Sequence, residues 1–561
     1  MSAIKSYLSH IGKRVTQRSF LYIAKTFNLP INNLTKKILK DYTTILALSK
    51  SEISIHREST GNKGKVLFFS SAAGFLQLLQ FELALYRLLQ IRGYYCDLII
   101  CDQFMDMCEM MNIEQSKSEK KQVCKRCFLR ANDALNSVHI SYISASSIVD
   151  STQKAEIAKI ESNLDSYDVN SLLNMEIDNI PVGQIALSSA LRFLRRGTLP
   201  ENIDSFTKSI LISYLKSAIR IKYLAEAYLE KYGKPDFVVM THGIYVPWGP
   251  AFAVFRREDI PVACFDQSNV FKNAYVASWN KPSQSYDISS VFFAEKGKSL
   301  TEEERIKLYE YLRTRRENSK DRTRFNFVPE EPGYVVRKKL DIPDNAICFG
   351  LFSNLLWDAA TVGKDICFSN QVEWIIETVK YFITHPEKYL ILRTHPAEEL
   401  RGTRQSAIEV IRENFPKLPS NIKLVGKEPQ FNAYSIFNAI DVGIVNTSTV
   451  GLEMSLLGKP VIVVSDAHYR GKGFTYDPEN RDDYFRLIEN FKKNDRLNSS
   501  QIQEAERYAY MYFFRHHIKM SLFEEDISGK FIIKATLKDD PNVDSFLDSL
   551  TNQKPFVLPR R

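Results

Sequence analysis

The segment DVGIVNTSTVGLEMSLLGKPVIVVS, residues 441–465, contains the pattern that decides the fold. DVGIV and KPVIVVS are short, continuously apolar runs, which are typical of parallel strands buried on both faces. GLEMSLLG, which lies between them, is helical in character and ends on a glycine. A strand, a helix and a second strand in this order predict a crossover within a parallel sheet.

The same alternation extends outward from this segment. Further strand-like runs of the same half of the chain are AICFGLFSN (346–354), YLILRTHPAEE (389–399) and IKLVG (422–426). An earlier series of such runs consists of KVLFFSS (65–71), YYCDLIICD (94–102), PDFVVMTHG (235–243) and IPVACFDQ (260–267). The predicted fold class is therefore α/β, with two Rossmann-like doubly wound domains and a cleft between them.

The length of the chain supports this division. At 561 residues it exceeds the roughly 250–300 residues that one hydrophobic core serves. Four parts are predicted: a basic helical N-terminal segment (1–60), an N-terminal Rossmann-like domain with a helical insertion at about 150–232 (61–330), a C-terminal Rossmann-like domain (331–510), and a C-terminal helix and tail (511–561).

Composition and missing motifs exclude several classes of protein. Hydrophobic residues make up 44% and charged residues 25%, which excludes a disordered or low-complexity chain. The sequence contains no GxGxxG and no GxxxxGK[ST], which disfavours a dinucleotide enzyme and a P-loop NTPase. Aromatic residues are not interleaved with basic clusters, so no nucleic-acid partner is expected.

Positive charge is concentrated at the N-terminus. The chain has 75 Lys and Arg against 66 Asp and Glu, and no acidic residue precedes Asp41. Apolar residues recur at roughly helical spacing up to Pro30, which indicates amphipathic helices with basic faces. We expect residues 1–40 to bind an anionic membrane surface, placing a cytoplasmic protein peripherally on the inner face of the cell membrane. The alternative is a solvated basic helix packed on its own domain.

Four of the eight cysteines follow the second strand-like run. Cys101, Cys108, Cys124 and Cys127 include one CxxC pair, and four thiolates could hold a structural zinc or an iron–sulfur cluster. Their spacing matches no standard zinc finger, so free cysteines are the alternative.

The turn NTSTVGLE at 446–453 is the most informative candidate site. Thr447, Ser448 and Thr449 precede a helix, where hydroxyls and free N–H groups cap the helix or bind a phosphate. Glu453, one turn further on, is in reach of ribose hydroxyls. Arg393 and His395 end another strand and add a cation and an imidazole for a diphosphate. An ordinary helix cap is the alternative interpretation of the Ser and Thr residues.

Three residues are candidates for a catalytic base. His242 and Asp266 end neighbouring strands of the N-terminal series, at the edge where open α/β sheets bind ligands. Asp358, in NLLWDAA, is predicted to lie between the facing edges of the two domains. The alternatives are a loop histidine bonded to nearby backbone for His242 and a helix cap for Asp358.

These motifs resemble those of a known family. RTHPAE (393–398), NTSTVGLEMSLLGKPVIVV (446–464) and HYRGKGFTYD (468–477) are similar to the C-terminal half of capsule polysaccharide biosynthesis proteins, bacterial glycosyltransferases with the GT-B fold. FSNLLWDAA (352–360) and the stretch 234–266 resemble the same group, so the resemblance spans about residues 61–480. The HP and STVGLE elements are shared more widely with GT-B enzymes, including polyol-phosphate transferases.

The resemblance implies a nucleotide-sugar donor in the C-terminal domain and a glycan or lipid-linked glycan acceptor in the N-terminal domain. It assigns donor phosphate and ribose to Arg393, His395, Ser448, Thr449 and Glu453. It also implies that Tyr434 and Ser435 cover the base or bind a phosphate, and that Arg470 and Lys472 neutralise the leaving phosphate. A solvated basic loop is the alternative for these last two residues.

No DxD motif ends a strand, so we expect transfer to be metal-independent, with no cofactor required for catalysis. The function predicted is glycosyl transfer to a capsule or lipopolysaccharide-type glycan. The alternatives are a CDP-polyol phosphotransferase of the teichoic-acid type and a non-catalytic glycan-assembly protein.

Overall fold

The computed structural model describes residues 44–54, 62–115, 117–317, 328–358, 363–400, 402–426, 431–525, 531–534 and 539–560. The predicted basic segment 1–40 lies outside these residues. Two separate sheets, of seven and five strands, are each flanked by helices. The predicted α/β class with two Rossmann-like domains is therefore confirmed. Among the described helices, none combines the length and apolar character that a membrane span needs.

The first sheet has the strand order β12-β6-β5-β4-β1-β2-β3. Its inner strands β1, β2, β4 and β5 pair in parallel, and β6 and β12 add an antiparallel edge. The parallel strands are buried along nearly their whole length, in keeping with their apolar sequences. The strands of the first series are β1 (Lys65–Ser70), β2 (Tyr95–Ile100), β3 (Ile143–Ser144), β4 (Phe237–Thr241), β5 (Val262–Gln267) and β6 (Ala274–Trp279).

The helices of the first domain include the long insertion predicted between strands. Its longest member begins after Asp204, whose carboxylate accepts the Thr207 N–H, and ends at Gly233, which has a φ of 78°. The helices in chain order are α1 (Leu76–Ile91), α2 (Lys117–Ser137), α3 (Ala145–Ile148), α4 (Ser151–Asn163), α5 (Val169–Leu173), α6 (Val182–Leu194), α7 (Ser205–Tyr232), α8 (Gly249–Arg257), α9 (Ser289–Ala294) and α10 (Glu302–Arg316).

The second sheet is entirely parallel, in the order β11-β10-β7-β8-β9. Its strands are β7 (Ile347–Phe352), β8 (Lys388–Arg393), β9 (Ile422–Val425), β10 (Val442–Val445) and β11 (Val461–Val463). Its helices are α11 (Gly333–Lys339), α12 (Gln371–Thr384), α13 (Ala397–Leu400), α14 (Ala407–Asn414), α15 (Ala433–Ala439), α16 (Val450–Leu456), α17 (Arg481–Asn490) and α18 (Ser499–Tyr510).

The C-terminal part of the chain returns to the first domain. A π-helix, Met511–His516, leads into β12 (Ile518–Lys519), which pairs with β6 of the first sheet. A two-stranded ribbon, β13 (Phe523–Glu525) and β14 (Phe531–Ile533), and helix α19 (Pro541–Thr551) follow. Val543 and Phe546 of α19 lie in the same apolar core as the first sheet. Residues of the predicted C-terminal helix and tail therefore pack on the first sheet.

Direct hydrogen bonds join the two domains at the end of α6. The Gln405 Oε1 atom of the second domain accepts the Gly197 and Thr198 N–H groups at 2.9 and 3.1 Å. The Arg404 N–H donates to the Arg195 carbonyl at 3.0 Å. These contacts hold the carboxyl ends of the two sheets on opposite sides of one cleft.

Candidate functional site

A cavity of about 620 Å³ lies in the cleft, within the size range of small-molecule sites. His242 and Asp266 of the first domain and Asp358 of the second all line it. The structure therefore brings together the three residues that the sequence singles out as candidate bases. Aromatic side chains from both domains, including Tyr245, Trp248 and Trp357, form part of the wall.

The end of β4 presents His242 in an unusual backbone conformation. Its φ of 63° lies in the left-handed region, where bulky residues are uncommon, so the surrounding contacts must hold it there. The His242 N–H donates to the Phe265 carbonyl at 3.0 Å, and the imidazole stacks on Trp248 with 6.0 Å between ring centroids. The His242 Nε2 atom lies 3.5 Å from Asp266 Oδ2, and each side chain is about one-fifth exposed, at 19% and 18%.

Gln284 holds the Asp266 carboxylate, a contact that the sequence analysis missed. The Gln284 Nε2 group donates to Asp266 Oδ2 at 3.1 Å, and the Tyr286 hydroxyl donates to Gln284 Oε1 at 2.8 Å. The other carboxylate oxygen, Asp266 Oδ1, accepts the Gln267 N–H at 2.7 Å. Gln284 lies in a short 3-10 turn, Ser283–Ser285, that carries no motif to identify it from sequence.

Asp358 enters the cavity from the opposite domain. It follows β7, and its N–H donates to the Leu355 carbonyl at 3.1 Å, which closes a turn after the strand. Arg192 of α6 also lines the cavity. Burial acts to lower the pKa of Arg192, but the Glu109 carboxylate, with a smaller contribution from Asp358, holds that pKa above its usual value. The cavity therefore contains a guanidinium that remains charged.

Four buried polar atoms lie without a protein partner where strands β7, β8 and β10 of the second sheet end. They are Ser353 Oγ, Thr394 Oγ1, Asn446 Oδ1 and Thr447 Oγ1. Buried polar groups in folded proteins nearly always have a partner, so a cluster of unpaired ones requires an explanation such as a ligand or ordered water. This edge is also where doubly wound sheets bind their ligands.

The NTSTVGLE turn does not form the predicted side-chain cap. Thr449 takes the N-cap position of α16, but with helical φ and ψ and no side-chain hydrogen bond. The Ser448 carbonyl instead accepts the Tyr469 hydroxyl at 2.5 Å. A cap bond requires an extended residue before the helix, and here the helical conformation begins one residue early. The hydroxyls of this turn therefore remain available, and their role as phosphate ligands stays a prediction.

Glu453 is buried, and both of its carboxylate oxygens accept hydrogen bonds within the protein. The Arg315 guanidinium of α10 donates to Glu453 Oε1 at 2.8 Å, and the Tyr434 hydroxyl donates to Oε2. The Ser435 hydroxyl lies on the other side of α15, where it accepts the Glu331 N–H at 2.7 Å. Ribose binding by Glu453 stays a prediction, and it must accommodate the Arg315 ion pair that the sequence did not indicate.

Arg393 and His395 also have partners within the protein. Arg393 is only 5% exposed and donates to the Phe431 carbonyl at 2.9 Å. Burial lowers the pKa of Arg393 to about 10. The His395 Nδ1 atom accepts the Ala397 N–H at 3.1 Å, an arrangement that orients the imidazole at the end of β8. Phosphate binding by these two residues stays a prediction.

The HYRGKGF loop follows β11. The Arg470 guanidinium donates to the Val463 and Pro478 carbonyls, so this side chain ties the loop to the end of β11 and to the segment that follows the loop. The Lys472 Nζ atom lies 3.3 Å from the Arg470 carbonyl and 5.1 Å from the Phe293 ring centroid, and burial lowers its pKa.

A second lysine, Lys364, crosses to the first domain and donates to the Gln284 carbonyl at 2.8 Å.

The four cysteines singled out in the sequence are all free thiols. Burial, together with the neighbouring thiols Cys101 and Cys127, raises the pKa of Cys124 to about 12. Burial likewise raises the pKa of Cys101, Cys108 and Cys127. Within the described residues, no three or more His, Cys, Asp or Glu side chains group in a way that could hold a metal ion. The predicted zinc or iron–sulfur site therefore gains no support.

Residues 355–512 match the family model described as "Capsule polysaccharide biosynthesis protein". The resemblance inferred from the sequence is confirmed over this segment. No curated protein sequence matches the chain. Within the capsule-synthesis match lie Asp358, the strand-end residues Arg393 and His395, and the whole of α15, α16 and the HYRGKGF loop. His242, Asp266 and the four cysteines from Cys101 to Cys127 lie outside it.

Three solved structures that the chain resembles have low sequence identity to it and low TM-scores. Two are Thermosulfurimonas dismutans KpsC proteins. The beta Kdo 2,4 transferase is 17% identical, covers 49% of this chain and 79% of its own and has a TM-score of 0.31. The beta Kdo 2,7 transferase is 16% identical, covers 59% and 89% and has a TM-score of 0.31. UDP-GlcNAc 2-epimerase from Neisseria meningitidis, bound to UDP-GlcNAc, is 11% identical, covers 80% and 99% and has a TM-score of 0.24.

Proposed function

We propose that the protein is a glycosyltransferase of capsule or lipopolysaccharide-type glycan assembly, which moves a sugar from a nucleotide-activated donor to a growing glycan. One observation carries the proposal: His242, Asp266 and Asp358 line a single cavity at the carboxyl ends of the parallel strands of the two sheets. Ligands of open α/β sheets bind at those ends. The capsule-synthesis match over residues 355–512 supports the choice of glycan assembly.

The donor nucleotide is assigned to the second domain. The unpartnered hydroxyls of Ser353, Thr394 and Thr447 support a phosphate at the ends of β7, β8 and β10. Ser448 and Thr449 contribute the adjoining turn, and Lys472 is proposed to supply positive charge to the phosphate. Glu453, Tyr434 and Ser435, with Arg393 and His395, complete the proposed surroundings of the nucleotide.

The acceptor glycan is assigned to the first-domain side of the cavity. In the net reaction, the bond between the sugar's anomeric carbon and the donor phosphate oxygen breaks, and a bond from that carbon to an acceptor hydroxyl oxygen forms. The hydroxyl proton passes to the Asp266–His242 pair, whose facing atoms lie 3.5 Å apart. The electron pair leaves on the phosphate, where positive charge and backbone N–H groups stabilise it.

The transfer is proposed to need no metal, because cationic side chains and helix N-termini can stabilise the leaving phosphate. Turnover in excess EDTA is expected to match turnover in buffer with magnesium. Loss of activity in EDTA, restored by a divalent cation, would contradict this part of the proposal.

Residues 1–40 are proposed to hold the protein on the anionic inner face of the cell membrane. Each basic residue contributes about 1 kcal/mol near such a surface. The full chain is expected to sediment with vesicles containing anionic phosphatidylglycerol and not with neutral phosphatidylcholine vesicles. A chain lacking residues 1–40 should bind neither, and equal binding of both chains would contradict the assignment.

The donor proposal is tested with nucleotides. We expect CMP, CDP, UDP or GDP to raise the Tm of the full chain, because a ligand that binds only the folded state stabilises it. The matching nucleotide sugar should then release free nucleotide in the presence of glycan acceptor. If no nucleotide changes the Tm and none is released, the transferase proposal is wrong and a non-catalytic assembly role becomes the better one.

The released nucleotide also separates the candidate reactions. A nucleoside diphosphate indicates an ordinary hexose donor. A nucleoside monophosphate indicates either a CMP-sugar or a CDP-polyol donor. Analysis of the product distinguishes these two, because only a polyol-phosphate transfer leaves phosphorus in the glycan.

A further inference from the structure

We propose that Gln284 is a positioning residue that fixes the Asp266 carboxylate beside His242, and that Lys364 makes this arrangement depend on contact between the two domains. The inference rests on the proposed function and deepens it. It concerns residues that act through Asp266 and do not themselves line the cavity.

The side chain of Gln284 is held at both ends. Its Nε2 group donates to Asp266 Oδ2 at 3.1 Å, and its Oε1 atom accepts the Tyr286 hydroxyl at 2.8 Å. Tyr286 is 8% exposed, and its ring contacts His468, with 5.3 Å between centroids. Because a carboxylate only accepts hydrogen bonds, the amide has one orientation, in which its N–H group faces Asp266 and its oxygen faces the packed tyrosine.

The carboxylate is fixed in turn. The Gln267 N–H donates to Asp266 Oδ1. This backbone group and the Gln284 amide together define the plane of the Asp266 carboxylate. That plane places Oδ2 3.5 Å from His242 Nε2. A base that must take a proton from a bound hydroxyl requires this kind of fixed geometry, and small misplacements are costly.

The turn that carries Gln284 also holds the backbone of His242. The Ser283 N–H donates to the His242 carbonyl at 3.1 Å. One short turn therefore contacts both members of the Asp266–His242 pair, and a movement of the turn would displace both.

Lys364 connects this turn to the second domain. Its Nζ atom donates to the Gln284 carbonyl at 2.8 Å, and its own carbonyl accepts the Asp466 N–H at 2.8 Å, just beyond β11. The titratable groups around the junction are Asp358, Asp466 and His468 beside Lys364, and Asp266 and His242 beyond the turn. When the domains separate, the turn loses its lysine, so the base is correctly placed only in the closed state.

The first test is the pair Gln284→Ala and Gln284→Glu in the full chain. Gln284→Ala is expected to lower kcat roughly 10- to 100-fold, with KM for the nucleotide sugar unchanged. Gln284→Glu should lower kcat further and move the acidic limb of the pH–rate profile to higher pH, because it places a second carboxylate against Asp266. Gln501→Glu, which makes the same change in a helix cap of α18, serves as the control and should leave kcat and the profile unchanged.

The second test is a double-mutant cycle with Lys364→Met. That variant should lower kcat in the same direction as Gln284→Ala, and Lys364→Arg should restore most of the loss. The combined variant should be no worse than the poorer single variant, because both changes act through one chain of contacts. Fully additive effects would overturn the role of Lys364.

A crystal structure of Gln284→Ala provides a readout that does not need turnover. The Asp266 carboxylate is expected to rotate away from His242, while the backbone of β5 stays in place. A carboxylate that keeps its position, or wild-type kcat in Gln284→Ala, would overturn the inference alone. Failure of the wild type to bind or use any nucleotide would instead overturn the proposed function.

Discussion

The two faces of the cleft use polar residues in opposite ways. On the first-domain face, the ionisable groups His242 and Asp266 lie open to the cavity and are held by neutral partners. On the second-domain face, Asp358 lines the cavity, but the ionisable groups Glu453, Arg393 and Arg470 are bound to other parts of the protein, and neutral hydroxyls are left unpaired. Charge on the first face suits proton transfer, and neutral donors on the second suit the oxygens of a phosphate ester.

The largest effect is expected on the first face. Asp266→Asn should lower kcat about 10²- to 10⁴-fold, because the amide cannot accept the hydroxyl proton. Nucleotide affinity, measured by titration calorimetry, should not change. Asp358→Asn is the matched variant across the cavity, and its effect should be smaller, because only Asp266 lies beside His242. A larger loss in Asp358→Asn would place the base on the second face.

A substitution on the second face is expected to lower the stability of the protein. Glu453→Ala leaves the Arg315 guanidinium, whose side chain is 18% exposed, without its carboxylate, and should lower the free energy of unfolding by about 3–5 kcal/mol. Urea denaturation measures this change. Adding Arg315→Met should recover part of the loss, because the uncompensated charge is then absent. Unchanged stability in Glu453→Ala would show that the pair is not maintained in solution.

The stability of the first domain is also expected to depend on pH. Burial raises the pKa of Glu82 to about 7, although the Ser70 and Thr241 hydroxyls, at the ends of β1 and β4, act to lower it. The folded state therefore binds this proton more tightly than the unfolded state does. Its stabilisation is fully present below about pH 4.5 and is lost as pH rises to about 7.

Glu82→Gln should remove this loss, which amounts to about 3 kcal/mol. Urea denaturation at pH 5 and pH 8 measures it, with Glu524→Gln, an exposed substitution on the C-terminal ribbon, as the control. Equal pH slopes for Glu82→Gln and wild type would show that Glu82 does not titrate in this range.

The smallest effect concerns the unpaired hydroxyls. Thr447→Val should weaken nucleotide binding about tenfold, since one hydrogen bond to a charged phosphate is lost. Its stability should be unchanged or slightly higher, because a buried hydroxyl without a partner is removed. Calorimetric titration and urea denaturation together check both parts. Unchanged affinity would remove Thr447 from the nucleotide site.

The architecture was largely predictable because buried parallel strands have a distinctive sequence pattern. KVLFFSS and DVGIV each contain a short apolar run, VLFF and VGIV, and both form interior strands of their sheets. The return of β12 to the first sheet was not predictable. That strand has only two residues, and its partner β6 lies about 240 residues away in the sequence. No local sequence pattern therefore indicates the pairing.

The candidate site was predictable where it depends on strand ends and not where it depends on distant partners. His242 and Asp266 meet because adjacent parallel strands end at the same edge. Gln284, Lys364 and Arg315 were missed because each acts through a residue far away in sequence. The charge of Arg470 suggested a phosphate ligand, but its guanidinium donates to the backbone carbonyls of Val463, in β11, and Pro478.

The return of the chain through Met511–His516 has a mechanical consequence. The polypeptide passes from the first sheet to the second between β6 and β7 and returns between α18 and β12, so two covalent crossings join the halves. Two fixed points define an axis, and rotation about that axis is the motion that strains neither crossing. The cleft should therefore open by rotation about the line that joins the two crossings, with little twist or shear between its faces.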